Sequence, residues 1–325
     1  MTDAPATLVT GGTGFVGRRL VERLASSEER VRALARRTSD VSMFVNSPVE
    51  LVYGDVTDRP SVGKAMQGCR RVYHLAKPSD WLTPDTALHH RVNVDGTRNV
   101  MEEALAANVE KVVYTGSYLT LFQKGGPGVN ANHRGNWIGA YSDSKTLGEQ
   151  TALSMNERGL PVVSVLPTAI YGPGDTSDAG RILFLYLRRR LLAQLEIRAN
   201  MVYVDDVVDG HVAAMERGRP GERYILGGDN ISSCQIVEML AEMEGRRWVP
   251  PRLPVWAWPA VGRACELWAV LTRRQPLIDR EFVRYFARPL YADSDAARQE
   301  LGFSYTPLRE GLQRYATWLR ETGCL

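Results

Sequence analysis

The chain has 325 residues, of which 44% are hydrophobic and 24% are charged. This composition is typical of a globular protein, and the length predicts a large core in about two domains. With 40 basic and 37 acidic residues, the net charge of +3 is too even to indicate a nucleic-acid partner.

The cysteines and the first residues indicate the compartment. The four cysteines are widely separated, without a CxxC pair, and they are Cys69, Cys234, Cys265 and Cys324. This pattern predicts reduced thiols rather than a disulfide framework or a metal site. The sequence enters its first predicted strand without a charged and then apolar leader, which argues against secretion. We therefore expect a cytoplasmic protein.

The chain is organised around residues 10–17, TGGTGFVG. An apolar run at residues 7–9 predicts a strand before this turn, and apolar residues at helical spacing predict a helix after it. Gly11, Gly14 and Gly17 allow a tight turn and the approach of a pyrophosphate to the amides of the helix N-terminus. This context predicts a dinucleotide site; the alternative is a flexible loop before a helix.

Strands and helices alternate along the first half of the chain. Strands are predicted at residues 7–9, 30–35, 49–53, 71–76, 111–115 and 161–166, with helices at 61–67, 85–108 and 139–156. The pattern predicts an α/β fold, a Rossmann-type doubly wound parallel sheet whose strands end at one common edge. Residues 121–138 are polar and predict a loop over that edge.

The alternation ends beyond residue 174. Helices are predicted at 182–192, at 205–216 with Asp205 as N-cap, and through most of the chain after 232, with strands at 201–204 and 223–226. We expect a dinucleotide-binding Rossmann domain at residues 1–172, to which residues 200–228 return. Residues 173–199 and 229–325 are expected to form a smaller, mostly helical substrate-binding lobe.

The end of the second predicted strand indicates the cofactor. NAD-binding units carry an acidic residue there, which binds the ribose hydroxyls. This chain has Arg36 and Arg37, and arginine pairs with a 2′-phosphate. The sequence therefore favours NADP(H) over NAD(H); the alternative is an arginine that stacks on adenine in an enzyme accepting either. Asp55 and Val56 are expected beside the adenine ring.

Tyr141 and Lys145 lie four residues apart, on one face of a predicted helix. A free tyrosine has a pKa near 10, and a nearby ammonium favours the phenolate. The pair can act as general acid in carbonyl reduction or general base in alcohol oxidation. Ser117, after the fifth strand, either donates a hydrogen bond to the substrate carbonyl or only terminates the strand.

Asn93 and three histidines are further candidates. Asn93 either holds a water that links Lys145 to solvent or fixes its helix to a neighbour. His74 is interpreted as a strand residue near the cofactor rather than a catalytic base. His89 and His90 lack partners at ligand spacing and are expected on the surface.

Together these motifs resemble an extended short-chain dehydrogenase/reductase of the NAD-dependent epimerase/dehydratase superfamily. TGGTGFVG, GDVTD, YHLA, NVDGT, YTGS, YSDSK and VYVDDVV occur in that family's order and spacing over nearly the whole chain. LPTAIYGPGD and GERYILGGDN are more similar to the dihydroflavonol-reductase and 3β-hydroxysteroid-dehydrogenase branch. A closely similar group is named hopanoid-associated sugar epimerase.

The resemblance implies the site residues. Tyr141 and Lys145 are the implied catalytic pair, Ser117 the third member and Asn93 a fourth. The expected cofactor-binding residues are Gly11, Thr13, Gly14, Phe15, Val16, Gly17, Arg36, Arg37, Asp55, Val56, Leu75, Ala76, Lys77, Thr115, Tyr141, Lys145, Pro167, Thr168, Ala169 and Ile170. The resemblance also implies a homodimer through the helices that carry Tyr141 and Asn93.

Three positions depart from the family pattern. Gly116 stands where many relatives have a second serine or threonine, and Leu166 where an arginine is common. Ala169 replaces an asparagine that nucleotide-sugar enzymes often carry. These departures argue against a nucleotide-sugar substrate.

Two enzymatic functions follow. The first is an NADP(H)-dependent oxidoreductase that interconverts a ketone or aldehyde with an alcohol on a largely apolar small molecule. An aromatic-rich second lobe supports it, although such residues are more often core than pocket; they are Trp256, Trp258, Trp268, Phe282 and Phe286. The alternative is a nucleotide-sugar epimerase or dehydratase with tightly bound NAD. A redox-sensing or scaffolding subunit is the non-enzymatic alternative.

One stretch resembles a membrane span, at residues 254–271. It contains two prolines, Arg263 and Glu266 and is short for a bilayer, so a buried or interfacial helix is expected instead. A peripheral membrane contact through this stretch remains open if the substrate is a lipid.

Overall fold

The structure is a computed structural model, and it describes residues 6–27, 29–78, 85–122, 140–175, 178–188, 191, 193–272 and 289–324. Its strands are β1 (Ala6–Thr10), β2 (Val31–Ala35), β3 (Glu50–Tyr53), β4 (Cys69–His74), β5 (Lys111–Thr115), β6 (Val162–Pro167), β7 (Ala169–Tyr171), β8 (Gln194–Leu195), β9 (Arg198–Tyr203), β10 (Arg223–Leu226), β11 (Asp229–Ser232) and β12 (Arg252–Leu253).

Seven of these strands form one parallel sheet in the order β10-β6-β5-β4-β1-β2-β3. The chain runs outwards from β1 in one direction through β2 and β3, and in the other through β4 to β10. Such a reversal opens a crevice at the carboxyl ends of the strands on either side of it, here β1 and β4. The predicted α/β fold with a Rossmann-type doubly wound sheet is confirmed.

The helices are α1 (Phe15–Ala25), α2 (Arg59–Met66), α3 (Thr86–His90), α4 (Gly96–Ala106), α5 (Ala140–Ser154), α6 (Asp178–Leu187), α7 (Val204–Arg217), α8 (Ser233–Met243), α9 (Trp258–Thr272), α10 (Asp295–Leu301) and α11 (Leu308–Glu321). They cover both faces of the sheet. Val9 of β1 packs in a cluster with α1 and α7, whereas the adjacent Leu8 packs in a second cluster with α2, α4 and α5. This alternation follows from the two-residue period of a strand.

The predicted helix at 85–108 is interrupted. Residues Arg91–Asp95 form a π-helical turn between α3 and α4. Such a turn closes hydrogen bonds five residues apart instead of four, so it changes which side chains face a neighbouring helix. This change matters for the site, because the turn contains Asn93.

The chain beyond β6 differs most from expectation. β9 lies between β7 and β11 in a three-stranded sheet, and β8 pairs with β12, although of these five strands only β9 is predicted. Asp205 is not the N-cap of α7, because that helix begins at Val204 with Tyr203 as cap. Instead Asp205 pairs with Arg19 of α1 at 2.7 Å. The predicted polar loop falls mostly at residues 123–139, outside the described part.

Among the described residues, no helix is long and apolar enough to span a bilayer. The same residues contain no group of three histidine, cysteine, aspartate or glutamate side chains that could bind a metal ion.

Candidate functional site

The glycine turn after β1 lies against the end of β4. Gly11 has φ of 73°, and a Cβ on it would lie 2.8 Å from the amide nitrogen of Ala76. A Cβ on Gly17 would collide with the carbonyl oxygen of Gly11. Only glycine fits at either position, so the turn is compact and brings the start of α1 to the crevice.

The N-terminus of α1 is suited to an anion. Gly14 is its N-cap, and the helix has neither a side-chain cap nor an acidic residue in its first turn. The first backbone amides of the helix therefore point to the crevice, and no side-chain cap accepts a hydrogen bond from them. They also carry the positive end of the helix dipole. The turn and the helix end together fit the pyrophosphate of a dinucleotide.

Arg36 and Arg37 follow β2 directly and both side chains are exposed. The guanidinium of Arg37 lies 5.5 Å from the ring centroid of Tyr53. The nearby acid Asp40 accepts a hydrogen bond from the amide of Ser42, and this bond lowers the pKa of its carboxyl. Because β2 is the neighbour of β1, the arginines lie beside the glycine turn, where a 2′-phosphate is bound in NADP proteins.

The expected adenine contacts lie at the end of β3. Asp55 accepts hydrogen bonds from the amide and hydroxyl of Thr57 at 2.9 and 2.8 Å, which fixes the turn. Val56 is buried, and its carbonyl accepts from Asn99 of α4.

Lys145 is a buried charged group of the site. Its side chain is 3% exposed, and Nζ donates to the carbonyl oxygen of Thr115 at 2.9 Å. Burial lowers the pKa of Lys145 to about 7, and the charge of Lys77 acts in the same direction, whereas Glu149 opposes both. The ammonium is therefore held at the end of β5 and loses its proton more readily than a surface lysine.

A histidine that sequence reasoning missed supports this strand end. His211 of α7 is fully buried, with Nδ1 2.7 Å from the carbonyl of Val207 and Nε2 2.9 Å from the hydroxyl of Thr115. Since a carbonyl only accepts, Nδ1 carries the hydrogen and Nε2 accepts from Thr115. Burial lowers the pKa of His211 to about 4, which keeps the ring neutral. No sequence signal links these residues, which lie far apart in the chain.

Tyr141 and Lys145 both lie on α5, as predicted. His89 corrects the prediction of a surface residue, because it is 1% exposed and its ring lies 5.9 Å from that of Tyr141, edge to face. His90 is exposed as expected. The ring of His89 therefore holds one side of the tyrosine.

Ser117 is buried and its Oγ accepts the amide of Leu119 at 3.3 Å. It thus caps the short 3₁₀ turn Tyr118–Leu121, which agrees with the structural alternative. The bond uses an acceptor position of the hydroxyl, so its hydrogen is still available to a carbonyl oxygen. Both roles are compatible with the geometry.

Asn93 joins the π-helical turn to α5. Its Nδ2 donates to the hydroxyl of Ser144 at 2.9 Å, and its carbonyl accepts from Thr97 at 2.7 Å. These bonds favour the alternative in which Asn93 fixes its helix to a neighbour. Among the described residues its buried Oδ1 has no hydrogen-bond partner.

His74 connects the start of the glycine turn with α4. Its Nδ1 lies 2.7 Å from the hydroxyl of Thr10 and its Nε2 3.0 Å from that of Thr97. Burial and the charge of Lys145 lower its pKa to about 3, so the ring is neutral. A neutral, fully buried histidine between two threonines agrees with a strand residue rather than a catalytic base.

An apolar cluster adjoins Tyr141. It contains Tyr118, Leu119, Leu121, Phe122, Leu166, Leu195, Ile197, Ala199, Ile225, Trp258, Leu290 and Ala292, with Tyr141 packed against it. Of the aromatic residues expected in the second lobe, only Trp258 lies here. Trp256 and Trp268 are 82% and 68% exposed, so they belong to neither core nor pocket. Phe282 and Phe286 lie outside the described residues.

Two departures from the family pattern are in contact. A Cβ on Gly116 would lie 2.5 Å from Cδ2 of Leu166, closer than carbon atoms approach. Leu166 is fully buried in β6, which pairs with β5. The glycine therefore leaves the space that the leucine fills.

The remaining predicted residues follow the ends of β4 and β6. Leu75, Ala76 and Lys77 come directly after β4, and Lys77 is exposed. Pro167 ends β6, Thr168 follows it, and Ala169 and Ile170 begin β7. These predicted residues thus follow the carboxyl ends of two strands of the same parallel sheet.

The model of the family described as "NAD dependent epimerase/dehydratase family" matches residues 7–227. The chain belongs to this family. A Synechocystis sp. protein described as a dihydroflavonol 4-reductase is 33% identical to this chain over 330 residues, which cover 98% of this chain and 96% of the relative. Sterol demethylase protein B of Methylococcus capsulatus is 34% identical over 338 residues, 98% of this chain and 99% of the relative.

The solved structure of gox2253 is similar throughout, with a TM-score of 0.85, 33% identity, and coverage of 98% of this chain and 99% of that one. The family match and these relatives confirm the extended short-chain dehydrogenase/reductase branch that the motifs predict. The protein is an NAD(P)-dependent oxidoreductase of this family.

Proposed function

We propose that the protein is an NADP(H)-dependent oxidoreductase that interconverts a ketone or aldehyde with an alcohol on a largely apolar small molecule. The observation that carries this proposal is Lys145, whose buried ammonium is fixed on the Thr115 carbonyl and shares α5 with Tyr141. A fixed positive charge near a tyrosine lets the phenol give up and recover a proton.

In the reduction direction, the carbonyl carbon receives a hydride and the carbonyl oxygen receives the phenolic proton of Tyr141. When bound, NADPH supplies the hydride from its nicotinamide. The Ser117 hydroxyl donates to the same oxygen and polarises the carbonyl. The ammonium of Lys145 stabilises the phenolate that remains after proton transfer. Asn93 acts indirectly, because its hydrogen bond to the hydroxyl of Ser144 positions α5.

Preference for NADP(H) rests on Arg36 and Arg37, which lie beside the glycine turn. Replacing both with alanine removes charge-assisted hydrogen bonds to a 2′-phosphate, so Kd for NADPH should rise about ten-fold or more and Kd for NADH by less than about two-fold. Arg70→Ala, an exposed arginine paired with Glu110, is the matched control. Equal losses for both dinucleotides would show that the arginines do not select the cofactor.

An apolar substrate is supported by the cluster packed against Tyr141. Its members are buried aliphatic and aromatic side chains, so the surroundings of Tyr141 on this side are apolar, as is typical of sites for apolar small molecules. The proposed substrate is therefore a largely apolar ketone, aldehyde or alcohol.

The second candidate is an epimerase or dehydratase with tightly bound NAD, which the name of the family keeps open. Such an enzyme recycles its cofactor, so it co-purifies with stoichiometric NAD and shows no net consumption. Mass spectrometry of the released nucleotide, together with NADPH consumption over a panel of apolar ketones, separates the two. The absence of arginine at Leu166 and of asparagine at Ala169 supports the oxidoreductase.

The proposal includes three further expectations. They are the division into a Rossmann domain and a substrate-binding lobe, the cytoplasmic location, and the homodimer.

Sedimentation equilibrium at several protein concentrations tests the dimer. A single species with the chain's mass of 36.2 kDa would contradict it.

A further inference from the structure

Several large apolar side chains are exposed between residues 248 and 271. Among the described residues, the exposed large hydrophobic side chains are Val45, Tyr53, Trp248, Trp256, Leu267, Trp268 and Leu271. Five of these seven fall between residues 248 and 271. Isolated exposed hydrophobic residues are ordinary, whereas a concentration of this kind marks an interaction site.

The geometry of α9 makes these residues one surface. Trp258 and Gly262 face the core, one turn apart. The opposite side carries Ala260, Ala264, Leu267 and Leu271, whose spacing of three or four residues places them in one stripe. Trp268 borders the stripe, and Trp256 precedes the helix. We call these six residues the α9 surface; its two tryptophans and two leucines are 67% to 82% exposed.

Basic residues accompany the α9 surface. Arg263 is exposed on α9 itself, and in the sequence residues 246–274 contain six arginines and one glutamate. Arg252 and Arg246 pair with Glu238 and Glu244, but Arg247 and Arg263 are exposed. The last two arginines, at positions 273 and 274, follow α9 directly in the sequence and lie outside the described residues.

We propose that the α9 surface docks on an anionic phospholipid bilayer. Tryptophan and leucine enter the boundary between headgroups and acyl chains, while the exposed Arg263 on the same helix attracts lipid phosphates. A second copy of the chain fits less well, because two such surfaces would bring like charges together. The helix has 15 residues and is about 22 Å long, shorter than the roughly 30 Å hydrocarbon core, so it lies in the surface instead of crossing it.

The docking surface is one helix away from the site. Trp258, on the inner side of α9, belongs to the apolar cluster that packs against Tyr141. A substrate drawn from the membrane would then lie one helix and one apolar cluster away from Tyr141. This last step rests on the proposed function, whereas docking itself does not.

The test is binding of the full chain to sedimented vesicles, with phosphatidylcholine alone compared with phosphatidylcholine mixed with phosphatidylglycerol. We expect binding to the anionic vesicles only, and weaker binding as salt screens the arginines. The double variant Trp256→Ser/Leu271→Ser should lose about ten-fold or more in affinity, and Arg263→Gln about five-fold. Val45→Ser, which removes an equally exposed side chain elsewhere, should bind as wild type does.

Several results would overturn the proposal. One is equal binding of the wild-type protein to both kinds of vesicle, and another is binding by the double variant as strong as that of wild type. A third is self-association of the wild-type protein that the double variant lacks, with neither protein binding vesicles. NADPH binding of each variant shows that the fold and the cofactor site are intact. Loss of vesicle binding with NADPH binding retained separates docking from the redox function.

Discussion

The Nζ atom of Lys145 donates to the carbonyl oxygen of Thr115 across 2.9 Å, and the hydroxyl of the same threonine donates to Nε2 of His211. One residue at the end of β5 thus joins a buried ammonium to a buried neutral imidazole. Burial lowers the pKa of Lys145 from 10.5 to about 7, so holding a positive charge at this position costs folding free energy.

This relationship predicts a pH-dependent stability effect. Below about pH 7 Lys145 is charged in the folded and unfolded states, and its burial destabilises the fold; above about pH 10.5 it is neutral in both, and the penalty is gone. Stability at this position therefore rises with pH between these values. We compare the free energy of unfolding of Lys145→Met with that of wild type at each pH. The difference in favour of the variant should be larger at about pH 6 than at about pH 10, by the order of 1–3 kcal/mol.

Chemical denaturation of both proteins at the two pH values measures the difference. Lys64→Met, at an exposed lysine on α2, should show the same change at both. If Lys145→Met also changed the free energy of unfolding by the same amount at both pH values, the pKa of Lys145 would not be lowered in the folded protein.

The contact of His89 with Tyr141 predicts a role in positioning the phenol. Edge-to-face ring pairs contribute roughly 0.5–1.5 kcal/mol, so His89→Ala should lower kcat about ten-fold with KM for NADPH unchanged. His89→Phe keeps a ring in place and should retain most of the rate, and His90→Ala, at the exposed neighbour, all of it. Steady-state kinetics separates kcat from KM; equal kcat for His89→Ala and His90→Ala would contradict the role.

Packing between Gly116 and Leu166 predicts that the two positions are coupled. Gly116→Ser alone forces atoms together and should destabilise by about 1–3 kcal/mol, whereas Leu166→Ala leaves a cavity and should destabilise by about 2–5 kcal/mol. In the double variant the serine occupies part of that cavity, so its loss should be smaller than the sum by about 1 kcal/mol or more. Urea denaturation of all four proteins completes the cycle, and additive losses would show that the residues do not interact.

The sequence allowed the central sheet to be predicted because its strands are apolar runs separated by helices, a local pattern. β7, β8, β11 and β12 were not predicted, since each has two to four residues and gains its hydrogen bonds from distant parts of the chain. The glycine turn, Tyr141 and Lys145 stand in motifs whose order and spacing can be read directly.

His89 and His211 could not be found in this way. His89 precedes the π-helical turn at Arg91–Asp95, and a regular helix assumed over residues 85–108 does not show which face it occupies. His211 reaches Thr115 only because α7 packs on β5, a contact between residues 96 apart. The close approach of Gly116 and Leu166 likewise follows from the pairing of β5 with β6, which the sequence does not show.

Turnover by Tyr141→Phe compared with wild type tests the central claim most directly. Phenylalanine keeps the ring against His89 but has no proton to transfer. We predict that wild type consumes one NADPH per alcohol formed, and that the variant binds NADPH with an unchanged Kd while kcat falls by roughly a hundred-fold or more. Wild-type turnover in Tyr141→Phe would contradict the account.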